Sequence, residues 1–113
     1  MSDEPLYNID VLRTQVNHDE SFVQHMVKNY VEKTPAQLDE LEKAALDEDW
    51  QLLSSLCHKI KSPARMLGMK IIADRLMDIE VKAKKHAELE HLQNDVQQVT
   101  VLIRTVLSDL KDF

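Results

Sequence analysis

Apolar residues recur at intervals of three and four along nearly the whole of this 113-residue chain, and that periodicity predicts helices from end to end. Val23, Val27, Tyr30, Thr34, Leu38, Leu41 and Ala45 fall on one side of one helix, and Met69, Ile72, Leu76, Ile79 and Ala83 on one side of another. Leu89, Leu92, Val96, Val99, Ile103, Val106, Leu110 and Phe113 alternate threes and fours without a break, the spacing of a coiled-coil seam. One glycine and three prolines leave little material for the turns of a sheet, so the expected class is all-α. The length suits a single core, and residues 1–113 read as one domain without repeat or low-complexity linker. A lone seam beside three other amphipathic helices more often closes a bundle within the chain than zips to a second copy. The expectation is a monomeric, mainly antiparallel four-helix bundle. A short additional N-terminal helix, capped by Asn8, ending at Val16 and stapled by Tyr7 and Leu12, should lie across it.

Asp19 and Asp49 stand where caps of the second and third helices belong, and Gly68 where the third should stop. Pro35 interrupts the long second stripe, at a cost of about 3 kcal/mol for an interior proline. Because the stripe continues in phase across it, one kinked helix is favoured over two. Pro63 predicts a bend in the third helix. Residues 1–5 are polar and expected to be loose.

The third helix concentrates the chemistry. In Leu52–Gly68, LLSSLCHKIKSPARMLG, the residues Leu53, Leu56, Ile60, Ala64 and Leu67 form the core stripe, with Leu52 and Cys57 at its margins. Gln51, Ser54, Ser55, His58, Lys61, Ser62 and Arg65 collect on the opposite side, which puts His58 near the middle of a polar, solvent-facing surface. Most exposed histidines have no function. This one has Lys61 and Arg65 on its own face and small serines beside the ring. That is the setting required of a nucleophile that accepts a dianionic group from another protein and returns it. The other four histidines, His18, His25, His86 and His91, lack this combination.

His58-Lys59-Ile60-Lys61, followed by Ser62 and by Leu67-Gly68, resembles the histidine-containing phosphotransfer (HPt) domain of two-component phosphorelays. That family reads histidine, any residue, an apolar residue, lysine, glycine, a small residue, and a Leu-Gly pair that closes the helix. Ser62 and Pro63 stand where its glycine and small residue usually are. The resemblance implies that His58 carries a phosphoryl group taken from a receiver-domain aspartate, with Lys61 and Arg65 giving electrostatic assistance, and that a second receiver takes it on. Receiver domains of response regulators and a hybrid sensor kinase are the implied partners. Ser54, Ser55, Lys59, Ser62 and Glu80 are the implied docking surface. Glu80 lies near the positions from which family members place a polar side chain beside the histidine, although a plain exposed glutamate is an equal reading. No cofactor is implied in this chain, since Mg²⁺ would belong to the receiver's acidic site. Neutral imidazole is the attacking form.

Charge and composition narrow the alternatives. A net charge of −6 with no basic arm argues against nucleic acid. The charge is uneven: from His58 to Arg75 five cations face Asp74 alone, a net +4 that leaves −10 elsewhere. The basic region surrounds His58 and suits an acidic partner. His18 and His25 are seven apart and His86 and His91 five, spacings that do not converge on a metal ion, and no metal site is expected. Cys57 belongs to the core edge, and a single glycine excludes a phosphate-binding loop, so a self-contained kinase is not expected. A lone cysteine, with neither a long apolar run nor a signal-peptide pattern, leads to the expectation of a cytoplasmic protein. The competing reading is a helical adaptor that binds partners through the bundle surface or last helix, with His58 incidental.

Overall fold

The computed structural model describes residues 4–113, so the expectation of a loose N-terminus falls partly on residues outside the described ones. Five α-helices follow in order: α1 (Ile9–Gln15), α2 (Glu20–Leu46), α3 (Trp50–Met66), α4 (Lys70–Lys85) and α5 (Leu92–Leu110), the last preceded by a 3₁₀ turn at Leu89–His91. No strand occurs among the described residues. No described helix is long and apolar enough to cross a membrane. Three side-chain caps stand where the sequence places them. Asn8 accepts from the Asp10 amide at 3.0 Å, Asp19 from Phe22 at 3.2 Å and Asp49 from Leu52 at 3.2 Å, each satisfying an amide that the first turn leaves unpaired.

Helices α2 to α5 form a closed ring in which each packs on its sequence neighbours and α2 meets α5. Pairings run antiparallel: Ser54 and Lys61 of α3 meet Glu80 and Met77 of α4 in reversed order, and Arg104 and Gln93 of α5 meet Glu42 and Ala45 of α2. The stripes read from the sequence meet inside. Val23, Val27, Tyr30, Thr34, Leu38, Leu41 and Ala45 are buried, as are Leu53, Leu56, Ile60 and Ala64, Ile72, Leu76, Ile79 and Ala83, and Leu92, Val96, Val99, Ile103, Val106 and Leu110. The seam of α5 therefore closes the chain's own core. Its two ends depart from the expectation, with Leu89 in the 3₁₀ turn and Phe113 beyond the helix and exposed. Helix α2 runs unbroken through Pro35 and α3 through Pro63, because the buried stripes on either side hold each helix in phase across the lost hydrogen bond.

Helix α1 is tied to the bundle where α3 turns into α4. The Asn8 amide donates to the Leu67 carbonyl at 2.9 Å, and Gly68 lies against it with φ +69°. A Cβ on Gly68 would sit 2.5 Å from the Asn8 carbonyl oxygen, so glycine is required twice, by the left-handed backbone and by the close approach. Gly68→Ala is expected to destabilise the fold by about 2–4 kcal/mol through backbone strain and loss of the α1 tether. Urea unfolding measures this, and an unchanged midpoint would mean that α1 gives way without cost.

Candidate functional site

His58 lies mid-way along α3 with its side chain 71% exposed, as the polar-face reading requires. Its neighbours are arranged less simply. The antiparallel docking of α4 brings Glu80 across from it, and the carboxylate is shared: Oε2 lies 3.0 Å from His58 Nδ1, while Oε1 accepts from Lys61 Nζ at 2.7 Å. One turn before His58, Ser54 Oγ donates to the Glu80 main-chain carbonyl at 3.1 Å, and one turn after it Lys61 Nζ also reaches Met77 Sδ at 3.6 Å. Every polar contact of this cluster joins α3 to α4.

Two placements differ from the sequence-based expectation. Lys61 was expected in solvent beside His58, but its side chain is only 6% exposed. The helical wheel puts it on the polar side of α3, yet on the flank that α4 covers, and its ammonium is buried against the Glu80 carboxylate. Glu80 is no plain surface glutamate, since its side chain is 17% exposed with both oxygens engaged. Partial burial pushes its carboxyl pKa up, but hydrogen bonds from Lys61 and His58 outweigh that and hold it below the usual carboxylate range. Glu80 is therefore ionised at neutral pH. An ionised carboxylate only accepts, so a neutral His58 carries its proton on Nδ1 and keeps the Nε2 lone pair for an incoming electrophile.

The remaining expected residues take two positions. Ser55, Lys59, Ser62 and Arg65 are exposed, and Ser54 is partly buried by its bond to α4. Arg65 lines a separate depression with Asn8, Gly68, Lys70 and Asp74, two turns from His58 along α3, and is not brought to the ring. His58 instead borders an open depression lined by Gln51, Ser54, Ser55, Glu80, Ala83, Lys84 and His86. Sequence reasoning did not assign Lys84 to the site, and it set His86 apart from it. The signal for Lys84 was present, because it stands one turn after Glu80 on the same face of α4. Cys57 is fully buried, and burial pushes its thiol up to about 12, with the Glu80 charge adding to the effect. Such a thiol is no nucleophile. No group of three or more metal-ligating side chains occurs among the described residues.

An exposed imidazole with one nitrogen held by a carboxylate and the other open to solvent can take up and release a phosphoryl group. The Hpt domain family model matches residues 25–113. The chain belongs to the Hpt domain family. Hpt domains carry phosphoryl groups in two-component phosphorelays and are not kinases, which agrees with the resemblance of the His58 motif. Among known proteins this Hpt domain is similar to the virulence sensor protein BvgS of Bordetella pertussis, with 22% identity over 81 residues, 72% of this chain and 6% of that protein. The BvgS proteins of Bordetella bronchiseptica and Bordetella parapertussis match with the same 22% identity and coverage. The chain thus spans about 6% of the length of the curated relatives it matches. No solved structure matches it significantly.

Proposed function

We propose that this Hpt domain accepts a phosphoryl group on His58 Nε2 from a receiver-domain aspartate and passes it to a second receiver. The observation that carries the reading is the shared Glu80 carboxylate, which directs the Nδ1–H inward and leaves Nε2 as the exposed nucleophile. In the transfer, the Nε2 lone pair forms the N–P bond as the P–O bond to the receiver's aspartate breaks, and the electron pair leaves with that carboxylate. No proton has to move. The imidazole ring becomes cationic, and Glu80, already hydrogen-bonded to Nδ1–H, stabilises that charge. Lys61 acts one step back, by keeping Glu80 ionised and aimed. Mg²⁺ in the receiver's acidic site would neutralise charge on the phosphoryl oxygens during the exchange. Onward transfer reverses the same geometry.

The surface around the ring suits such a partner. Lys59 and Arg65 offer positive charge to the acidic rim of a receiver, Ser55 and Ser62 keep the approach low, and Met77 and Val81 expose apolar side chains on α4 on either side of Glu80. The partners are response-regulator receivers and a hybrid sensor kinase, and the chain works as a monomer, since its one coiled-coil seam is used in its own core. Incubation with a ³²P-phosphorylated receiver tests the reading. Acid-labile, base-stable label should appear in this chain; if no receiver transfers label, the chain is an adaptor. Ser62→Phe is expected to weaken transfer about ten- to hundredfold by steric exclusion, with stability changed by no more than about 0.5 kcal/mol. Transfer at the wild-type rate would place the docking surface elsewhere.

A further inference from the structure

Lys61, the lysine of the motif, is engaged on the Nδ1 side of the ring and not at Nε2. Its ammonium is buried and held at 2.7 Å by Glu80 Oε1, and that carboxylate faces the opposite ring nitrogen. A phosphohistidine here needs another cation. The depression beside the ring contains one that is not engaged. Lys84 lines it together with His58, Ser54, Ser55 and His86. On α4 it follows Glu80 by four residues, the spacing at which a glutamate and a lysine normally pair on a helix. That pair does not form, because Glu80 is turned inward to His58 and Lys61, and the exposed Lys84 side chain has no ion-pair partner among the described residues. Four residues are about 6 Å of rise, within the span of an extended lysine side chain.

We propose that Lys84 is the residue whose ammonium contacts the phosphoryl oxygens on His58 Nε2, the role the motif alone would give to Lys61. This rests on His58 being the phosphoryl carrier. The inward turn of Glu80 orients the nucleophile and at the same time releases Lys84 toward the depression. The contact is electrostatic: the N–P bond forms and breaks as described above, and Lys84 keeps its three protons throughout. It stabilises the phosphorylated form and lowers the proton affinity of the phosphoryl dianion.

The test needs no receiver. The full chain is phosphorylated with phosphoramidate, the His58 phosphoryl resonance is identified in ³¹P NMR by its loss in His58→Gln, and its pH titration is followed in the variants. Lys84→Ala should raise the proton affinity of the phosphoryl group about three- to tenfold. Lys84→Arg should restore the wild-type value, and Lys85→Ala, which removes an adjacent exposed lysine outside the depression, should leave it unchanged. A Lys84→Ala titration identical to wild type, or equal shifts in Lys84→Ala and Lys85→Ala, would overturn the Lys84 assignment and leave His58 as the carrier. If His58→Gln keeps every phosphohistidine resonance of the wild type, the His58 reading itself fails and the Lys84 assignment falls with it.

Discussion

His58→Gln is expected to take up no acid-labile label from a phosphorylated receiver, a loss of at least about a thousandfold against the wild-type chain, because an amide nitrogen has no lone pair available to attack phosphorus. The fold should be untouched. The ring is 71% exposed, the apolar stripe of α3 through Leu53, Leu56, Ile60 and Ala64 lies on the opposite face, and glutamine retains an N–H that can donate to Glu80. Circular dichroism should be superimposable and stability within about 0.5 kcal/mol of wild type. The remaining histidines provide the control. His18, His25, His86 and His91 are all exposed, so exposure alone would not distinguish them from His58. What separates His58 is the carboxylate on Nδ1. His91 does approach Glu90, but at 3.8 Å through Nε2, and its side chain is 72% exposed. Substituting each of these four with glutamine should leave label uptake intact, including His86, which borders the depression. Acid-labile label on a folded His58→Gln chain would sink the assignment.

Glu80 is the second position with a large expected effect, and two substitutions divide its roles. Glu80→Ala removes the acceptor from Nδ1 and leaves the Lys61 ammonium buried without its anion. Transfer should fall about ten- to hundredfold, the usual range for losing the group that orients a functional histidine. Stability should fall by about 2 kcal/mol, because the surviving charge of a broken, largely buried pair is uncompensated. Glu80→Gln keeps an oxygen that can accept from Nδ1–H and removes only the charge. It should lose transfer by less than Glu80→Ala, because the Nδ1–H contact is kept while the charge that stabilises the cationic ring is gone, and it should lose stability in the same way. The two variants thus separate orientation of the ring from compensation of Lys61, and equal loss of transfer in both would mean that the charge itself is required. Acid titration adds a sign. The folded-state pKa of Glu80 lies below its unfolded value, so its stabilisation is fully present above the ordinary glutamate pKa of about 4.3 and is lost as pH falls through the folded value. The stability gap between wild type and Glu80→Gln should therefore be widest near neutrality and narrow as pH falls through the folded value. A gap that stayed constant with pH would show that the Glu80 charge is not what supports Lys61.

The family motif, the helical class and the exposure of His58 are all legible in the linear sequence, for one physical reason. A helix places residues on faces by a fixed rotation, so a stripe such as Leu53, Leu56, Ile60 and Ala64 is buried wherever the helix docks, and the side opposite to it is turned to water. Caps are legible for a related reason, since Asn8, Asp19 and Asp49 act on amides two or three residues away. Even the continuity of α2 through Pro35 follows from the phase of Tyr30, Thr34, Leu38 and Leu41. The flanks of a helix are different. His58 and Lys61 are three residues apart on one polar side, and nothing local says which of them a neighbouring helix will cover. That was decided by the antiparallel docking of α4, which lays Glu80 across from His58 at a separation of 22 residues and encloses Lys61 while leaving His58 open. The same docking drew Glu80 away from Lys84 and brought Lys84 and His86 to the depression beside the ring. Rotation along one helix determined which residues face outward; the packing of two helices determined which of those charges are neutralised and which remain for a ligand.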